Sequence, residues 1–256
     1  MIKFFRKIRQ QLLTENRTTK YLIYAIGEII LVMIGILLAL QVNNWNELRK
    51  QRLEEVQILK NIQLDYQNVI AECEENNDFR KRILSATKNL YRLIGNDQHN
   101  YSKTELDSVL AILFINPTYN NQTGSLNILF NSGKINLITN ENIKEALIKW
   151  PQQIDDVIED ELYASNHLLN ELKPYMRKFI SISDVNKAIN YKDLELFDSS
   201  ITSKFESNYW SMLNDIEFEG VLAARELPLS VSLIQSEDLI DTAKNIIRLI
   251  DKELEK

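Results

Sequence analysis

The sequence predicts an all-α protein in which an N-terminal transmembrane helix continues into a long helix and an irregular helical-bundle outer domain. Three observations carry that reading. Tyr21 to Val42 is an apolar run of 22 residues interrupted by a single charge, Glu28. The chain has only 6 Gly and 4 Pro, too few to punctuate the many turns of a sandwich or barrel. From Leu48 onward, apolar residues return at helical spacing. A chain of 256 residues with 45% hydrophobic content is of the kind that folds and does not stay disordered.

The apolar run is long enough for a helix rising ~1.5 Å per residue to cross the ~30 Å hydrocarbon core of a bilayer. Tyr21 and Tyr24 at one end and Trp45 at the other stand where interfacial aromatic belts form, and Asn43, Asn44 and Asn46 mark the exit. A cleaved signal would have a shorter apolar core followed by small residues, and the segment ending LALQVNNW lacks that pattern. Before the run come Lys3, Arg6, Lys7, Arg9, Arg17 and Lys20 against one acid, Glu15. Shortly after it come only Arg49, Lys50 and Arg52. The positive-inside rule therefore puts residues 1–20 in the cytoplasm, 21–42 in the membrane and 43–256 outside, which is the periplasm in a diderm bacterium. Of 30 basic and 36 acidic residues, 24 and 34 fall in that last segment, an acidic balance that does not suit nucleic acid. Within the first segment, Phe4, Phe5, Ile8 and Leu12 share a face ringed by basic residues. This fits either an interfacial helix on anionic lipid or a plain topology signal.

Glu28 costs a few kcal/mol at such a depth and calls for protein or water beside it. At 100° per residue, Tyr24, Glu28, Val32, Gly35 and Ala39 fall on one stripe, and Gly35 with Ala39 forms a small-xxx-small pair that lets helices approach closely. The stripe reads as a helix-packing face. A snorkelling acid or a proton-coupled site are the other readings of Glu28.

No Gly or Pro interrupts the chain between Gly35 and Gly95, so a stalk of coiled-coil character is expected over about 43–95. Its apolar stripe includes Leu59, Ile62, Tyr66, Val69, Cys73, Phe79, Ile83 and Leu90. Gly95 to Asn100 reads as a turn. Ser102 with Glu105 has capping-box spacing and opens a helix to about Ile115, where Asn116-Pro117 stops it. A short helix over Leu126 to Asn131 closes at Ser132-Gly133. The next, capped by Thr139 or Asn140, is expected to end at Trp150-Pro151. Helical spacing resumes from Gln152 to Leu172, Pro174 opens a further stretch, and 184–202 is ambiguous. Two last helices are expected near 204–224 and 231–255.

Little in the sequence carries chemistry. Walker-type, dinucleotide and G-x-S-x-G signatures are absent. Cys73 is the single cysteine, and His99 and His167 have no second ligand at zinc spacing. Asp155, Asp156, Glu159, Asp160 and Glu161 ahead of His167 read as a solvated helix face more readily than as a divalent-ion site. No catalytic, metal or cofactor residue is expected. Ser132, Gly133 and Lys134 could edge a polar pocket, with Lys134 meeting an anion, or simply end a helix.

The opening, from Met1 to Glu47, resembles an uncharacterised family of single-pass envelope proteins from Bacteroidota. The residues that carry this are the basic start, Tyr24 to Ile29 and Leu38 to Glu47. Ser132 to Ile135, Ile138 to Asn140 and Leu147 resemble a second segment of that family. The resemblance implies an inner-membrane location and a helical outer domain, and brings no assigned activity. The expected partners are the lipid bilayer, a second copy of the chain or an envelope protein, with no nucleic acid. The functional expectation is a non-enzymatic interaction or scaffold protein. An extracytoplasmic small-molecule sensor and an unrecognised hydrolase are the alternatives.

Overall fold

The structure, a computed structural model, describes residues 18–96, 101–120, 123–189 and 202–256. The amphipathic segment 2–13, His99 and residues 190–201 lie outside the described residues. All the regular elements among the described residues are helical. They form two compact units, Met1–Gln57 and Ile58–Lys256.

The first unit is the beginning of α1, a 74-residue helix, Thr18–Tyr91. Asn43 and Asn44 do not interrupt it. None of its most apolar window is buried by protein, and among the described residues it is the helix long and apolar enough to cross a membrane.

In the second unit, α1 packs with α4 (Glu141–His167) and α8 (Ile216–Leu254). Gln63 meets Asp251, Glu74 meets Lys244, Lys81 meets Glu237 and Tyr91 meets Glu226, so α1 and α8 run antiparallel. Tyr66 on Trp150 and Arg80 on Glu161 place α4 parallel to α1. The other elements are α2 (Lys103–Leu113), α3 (Gly124–Asn131), a 3-10 turn at Lys134–Leu137, α5 (Lys173–Met176), α6 (Ile182–Lys187) and α7 (Tyr209–Leu213). Ser102 and Glu105 form the expected capping box at the start of α2. Gly95 and Gly133 take φ of +67, the left-handed conformation that lets a chain leave a helix without a Cβ clash.

The apolar residues divide into two cores. One gathers Leu59 to Cys73 of α1, Leu126 and Leu129 of α3, Ile143 to Val157 of α4 and Leu239 to Ile250 of α8. The other gathers Ile83 to Leu90 of α1, most of the buried side of α2, Ala164 to Met176, Met212 and Leu213, and Phe218 to Leu229 of α8. At the centre of the first, the fully buried Trp150 sets its ring edge-on to Tyr66, with centroids 4.4 Å apart.

Several sequence expectations are corrected. α4 does not stop at Trp150-Pro151 but continues through Pro151 to His167, and α8 passes through Pro228 where a break between two helices was expected. Each proline removes the N–H that would have bonded the carbonyl four residues earlier. Burial of the flanking core residues, Leu147 and Ile154 or Leu222 and Leu229, outweighs that loss. On α1, Phe79 is only half-buried and Arg80 takes the core position beside it.

Trp150→Ala should destabilise the bundle by about 3–5 kcal/mol, because it empties a fully buried site the surrounding helices cannot close. Urea unfolding of the full chain in detergent checks this.

Candidate functional site

Helical spacing carries polar residues into the bundle as well as apolar ones. On α1, the series Tyr66, Val69, Cys73 continues through Asn77 and Arg80 before Ile83. On α4, Val157 is followed by Glu161 and then Ala164. On α8, Ser232 and Ser236 stand between Leu229 and Leu239. All five of these polar residues are buried, and they form a layer separating the two apolar cores.

Its centre is an ion pair between Arg80 and Glu161, with the arginine 1% and the glutamate 5% exposed. Arg80 Nη1 also donates to Asn77 Oδ1 at 2.7 Å, and Glu161 Oε2 accepts the Tyr119 backbone N–H at 2.8 Å. Burial pushes the Glu161 carboxyl up, opposed by the Tyr119 N–H and the arginine charge. Burial pulls the Arg80 guanidinium down, opposed by Glu161. Removing either partner would leave the other an uncompensated charge in a dry interior.

Glu161 also holds the connection between α2 and α3. Asn76 Nδ2 donates to the Thr118 carbonyl, Asn120 donates to Glu72 through backbone and side chain, and Asn116 Nδ2 donates to Ser165 Oγ. Thr123 gives α3 no side-chain cap, and Asp65 of α1 accepts the Ser125 N–H at 2.7 Å in its place. Three carboxylates, Glu161, Glu72 and Asp65, thus hold Tyr119, Asn120 and Ser125 against α1 and α4.

A second buried polar group lies inside the other core. Arg225 of α8 is 2% exposed, and among the described residues its one hydrogen bond runs from Nη2 to the Ile115 carbonyl at 2.8 Å, with Nε and Nη1 unpaired. Burial alone pulls its guanidinium down to about 10. His167, at the end of α4, is also buried, with neither ring nitrogen hydrogen-bonded among the described residues and Glu171 3.7 Å from Nδ1. Burial holds its imidazole below the usual range, with the Arg225 charge adding to the effect and Glu171 opposing it. Between His167 and Lys173 the backbone forms a π-helical turn, Leu168–Leu172, an irregularity frequent at functional sites.

At the surface, Tyr101, Lys103, Glu206, Tyr209 and Trp210 line a cleft of about 610 Å³ floored by Leu93, Leu106 and Leu213. Tyr209 donates to the buried Asp107. Asp184 collects Lys103, Lys187 and the Ser203 N–H, and the Lys103 hydrogen bond leads in lowering its carboxyl to about 2.

The residues singled out from sequence stand apart from these groups. Val32, Gly35 and Ala39 are exposed on α1 and Glu28 is half-buried. Ser132 Oγ donates to the Leu129 carbonyl, and Gly133 ends α3. Among the described residues, no three or more His, Cys, Asp or Glu side chains are placed to hold a metal ion, and Asp155, Asp156 and Glu159 face solvent. Sequence reading missed Arg80 and Arg225. The available signal was their spacing, seven residues after Cys73 and three after Leu222.

Glu161→Gln should cost about 3–5 kcal/mol by stranding Arg80, and adding Arg80→Met should recover most of the loss because no buried charge then remains. Paired denaturation curves of the single and double variants test it. For His167 the sign follows from its lowered pKa: the unfolded chain binds the extra proton, so stability falls as pH drops through about 6.5. The melting temperature of wild type should therefore fall between pH 7.5 and 5.5 more steeply than that of His167→Gln.

No curated protein and no solved structure matches the chain. The model of a family of unknown function, DUF6090, matches residues 28–204. That stretch runs from Glu28 in the apolar part of α1 through both partners of the Arg80–Glu161 pair to the residues beyond α6, well over half of the sequence, and the chain belongs to the family of unknown function DUF6090.

Proposed function

We propose that the protein is a membrane-anchored, non-enzymatic interaction protein of the bacterial envelope, with its bundle on the periplasmic side of the inner membrane. The observation that carries this is the exposed surface of α1. From Leu22 to Val42 nearly every large apolar side chain is about half exposed or more, with Ile29 and Val42 at 66%. Water does not tolerate a continuous apolar surface of that extent, whereas lipid does. The basic residues before it support a cytoplasmic N-terminus.

The stripe of Tyr24, Glu28, Val32, Gly35 and Ala39 supplies the packing face for a second copy or a membrane partner. A Cβ built on Gly35 would meet nothing within 4 Å, so its backbone is open to close approach by another helix. The Bacteroidota resemblance of the opening segment supports the envelope location.

A second reading, an extracytoplasmic sensor working through a partner, is favoured by the cleft between Tyr101 and Trp210, whose aromatic and polar lining suits a small molecule. Ser132, Gly133 and Lys134 would be a separate pocket edge in that reading. A ligand that raises the melting temperature of wild type but not of Trp210→Ala would favour it.

An alkaline phosphatase fused after Lys256 should be active, and a reporter that works only in the cytoplasm should be silent there. Crosslinked oligomers or complexes in native membranes should be lost on combining Glu28→Gln with Gly35→Leu. The opposite reporter pattern would overturn the topology, and complexes unchanged by the double variant would overturn the pairing face.

A further inference from the structure

A buried guanidinium normally faces a carboxylate, as Arg80 does. Arg225 does not. It is as deeply buried as Arg80, yet among the described residues the Ile115 carbonyl is its one hydrogen-bond partner, and Nε and Nη1 have none. Uncompensated, such a charge costs several kcal/mol, and a chain that keeps it inside an apolar core has placed a receptor for negative charge there.

Two further cations or donors stand within electrostatic reach. His167 is buried with both nitrogens unpaired, and neutral it still offers one N–H. Lys173 is half-buried with its ammonium 4.7 Å from the centre of the Phe114 ring, next to the Ile115 carbonyl that Arg225 holds. The Arg225 charge disfavours protonation of both. The π-helical turn between His167 and Lys173 sets the backbone that carries them.

Lys173 also reaches the surface. With Leu169, Pro174, Arg177, Ile180 and Ile182 it lines an open cleft of about 520 Å³ that has two cations and no carboxylate in its wall. Among the described residues, Arg225, Lys173 and Arg177 stand on the positive side, and the exposed Glu171, 3.7 Å from His167, on the negative.

We propose that Arg225, His167 and Lys173 form a receptor for a small oxyanion, a carboxylate or phosphate group, which enters past the Lys173 and Arg177 cleft and takes up the free donors of Arg225. The site is independent of the membrane span and of the pairing face on α1, so its failure would leave that reading intact.

The full chain in detergent micelles at pH 7 is titrated with sodium phosphate and, separately, sodium acetate, with chloride holding ionic strength constant, while the melting temperature is followed. Wild type should show a saturable rise with at least one of the two, and which one identifies the group. Arg225→Met should be at least as stable as wild type in chloride alone and show no anion-dependent rise. Lys173→Met should shift the half-saturating concentration upward by about tenfold. If Arg225→Met does not fold, the Nε–H NMR signal of Arg225 in the wild-type chain, assigned against Arg225→Lys, should move saturably with the same anion. Absence of a saturable response to either anion in wild type overturns the proposal, as does a response of equal size in Arg225→Met.

Discussion

The ion pair of Arg80 with Glu161 fixes how two of the long helices of the bundle, α1 and α4, stand against each other. Apolar stripes alone allow a helix to slide by a heptad with little loss, since one Leu or Ile is much like the next. A buried charge admits no such slide, because every other register would leave it facing hydrocarbon. Arg80 can meet Glu161 in one alignment of α1 and α4, and that alignment also sets Trp150 against Tyr66 and brings Tyr119 to the second carboxylate oxygen. The connection from α2 to α3 and the capping of α3 by Asp65 follow from the same placement.

The two cores on either side of this layer differ in kind. The one around Trp150 is built almost wholly from three long helices and one short one, and its geometry is that of helix stripes in contact. The one around Phe218 is closed by short pieces, α2, α5, α6 and α7. Short helices owe their existence to tertiary packing more than to propensity. This is also where the backbone departs from α geometry, at Leu168–Leu172, and where the chain tolerates a second arginine in its interior. Irregular backbone and unpaired buried polarity occurring together mark a region shaped by more than stability.

Much of the helical architecture was legible because the relevant signals are local. Absence of Gly and Pro from Gly35 to Gly95 reads directly as the uninterrupted α1, and Ser102 with Glu105 reads as a cap because the two groups satisfy each other within one turn. Pro151 and Pro228 misled because a proline's cost is local while its compensation is not, coming from core contacts that a single sequence does not display. The buried polar residues were misjudged for a related reason. Asn76 and Asn77 look alike in sequence, yet one straps a loop at the surface and the other sits beneath Arg80. Only their angular position about the helix, summed over many turns, separates them. The stripe of Glu28, Gly35 and Ala39 is legible as a pattern, but its meaning depends on a partner that no sequence of this chain contains.

The antiparallel pairing of α1 with α8 bears on how the chain is made. Gln63 meets Asp251 across 188 positions of sequence, so the stripe of Leu59, Ile62 and Tyr66 emerges from the ribosome long before the helix that covers it. At ~5–20 residues per second the wait is on the order of ten seconds or more. During that time only α3 and α4 are there to cover part of that apolar face, and the part that α8 covers stays open. The α1–α8 seam therefore closes only after α8 has been synthesised. A chaperone or a neighbouring surface that shields α1 in the interval would matter more to its yield than any single contact in the finished fold.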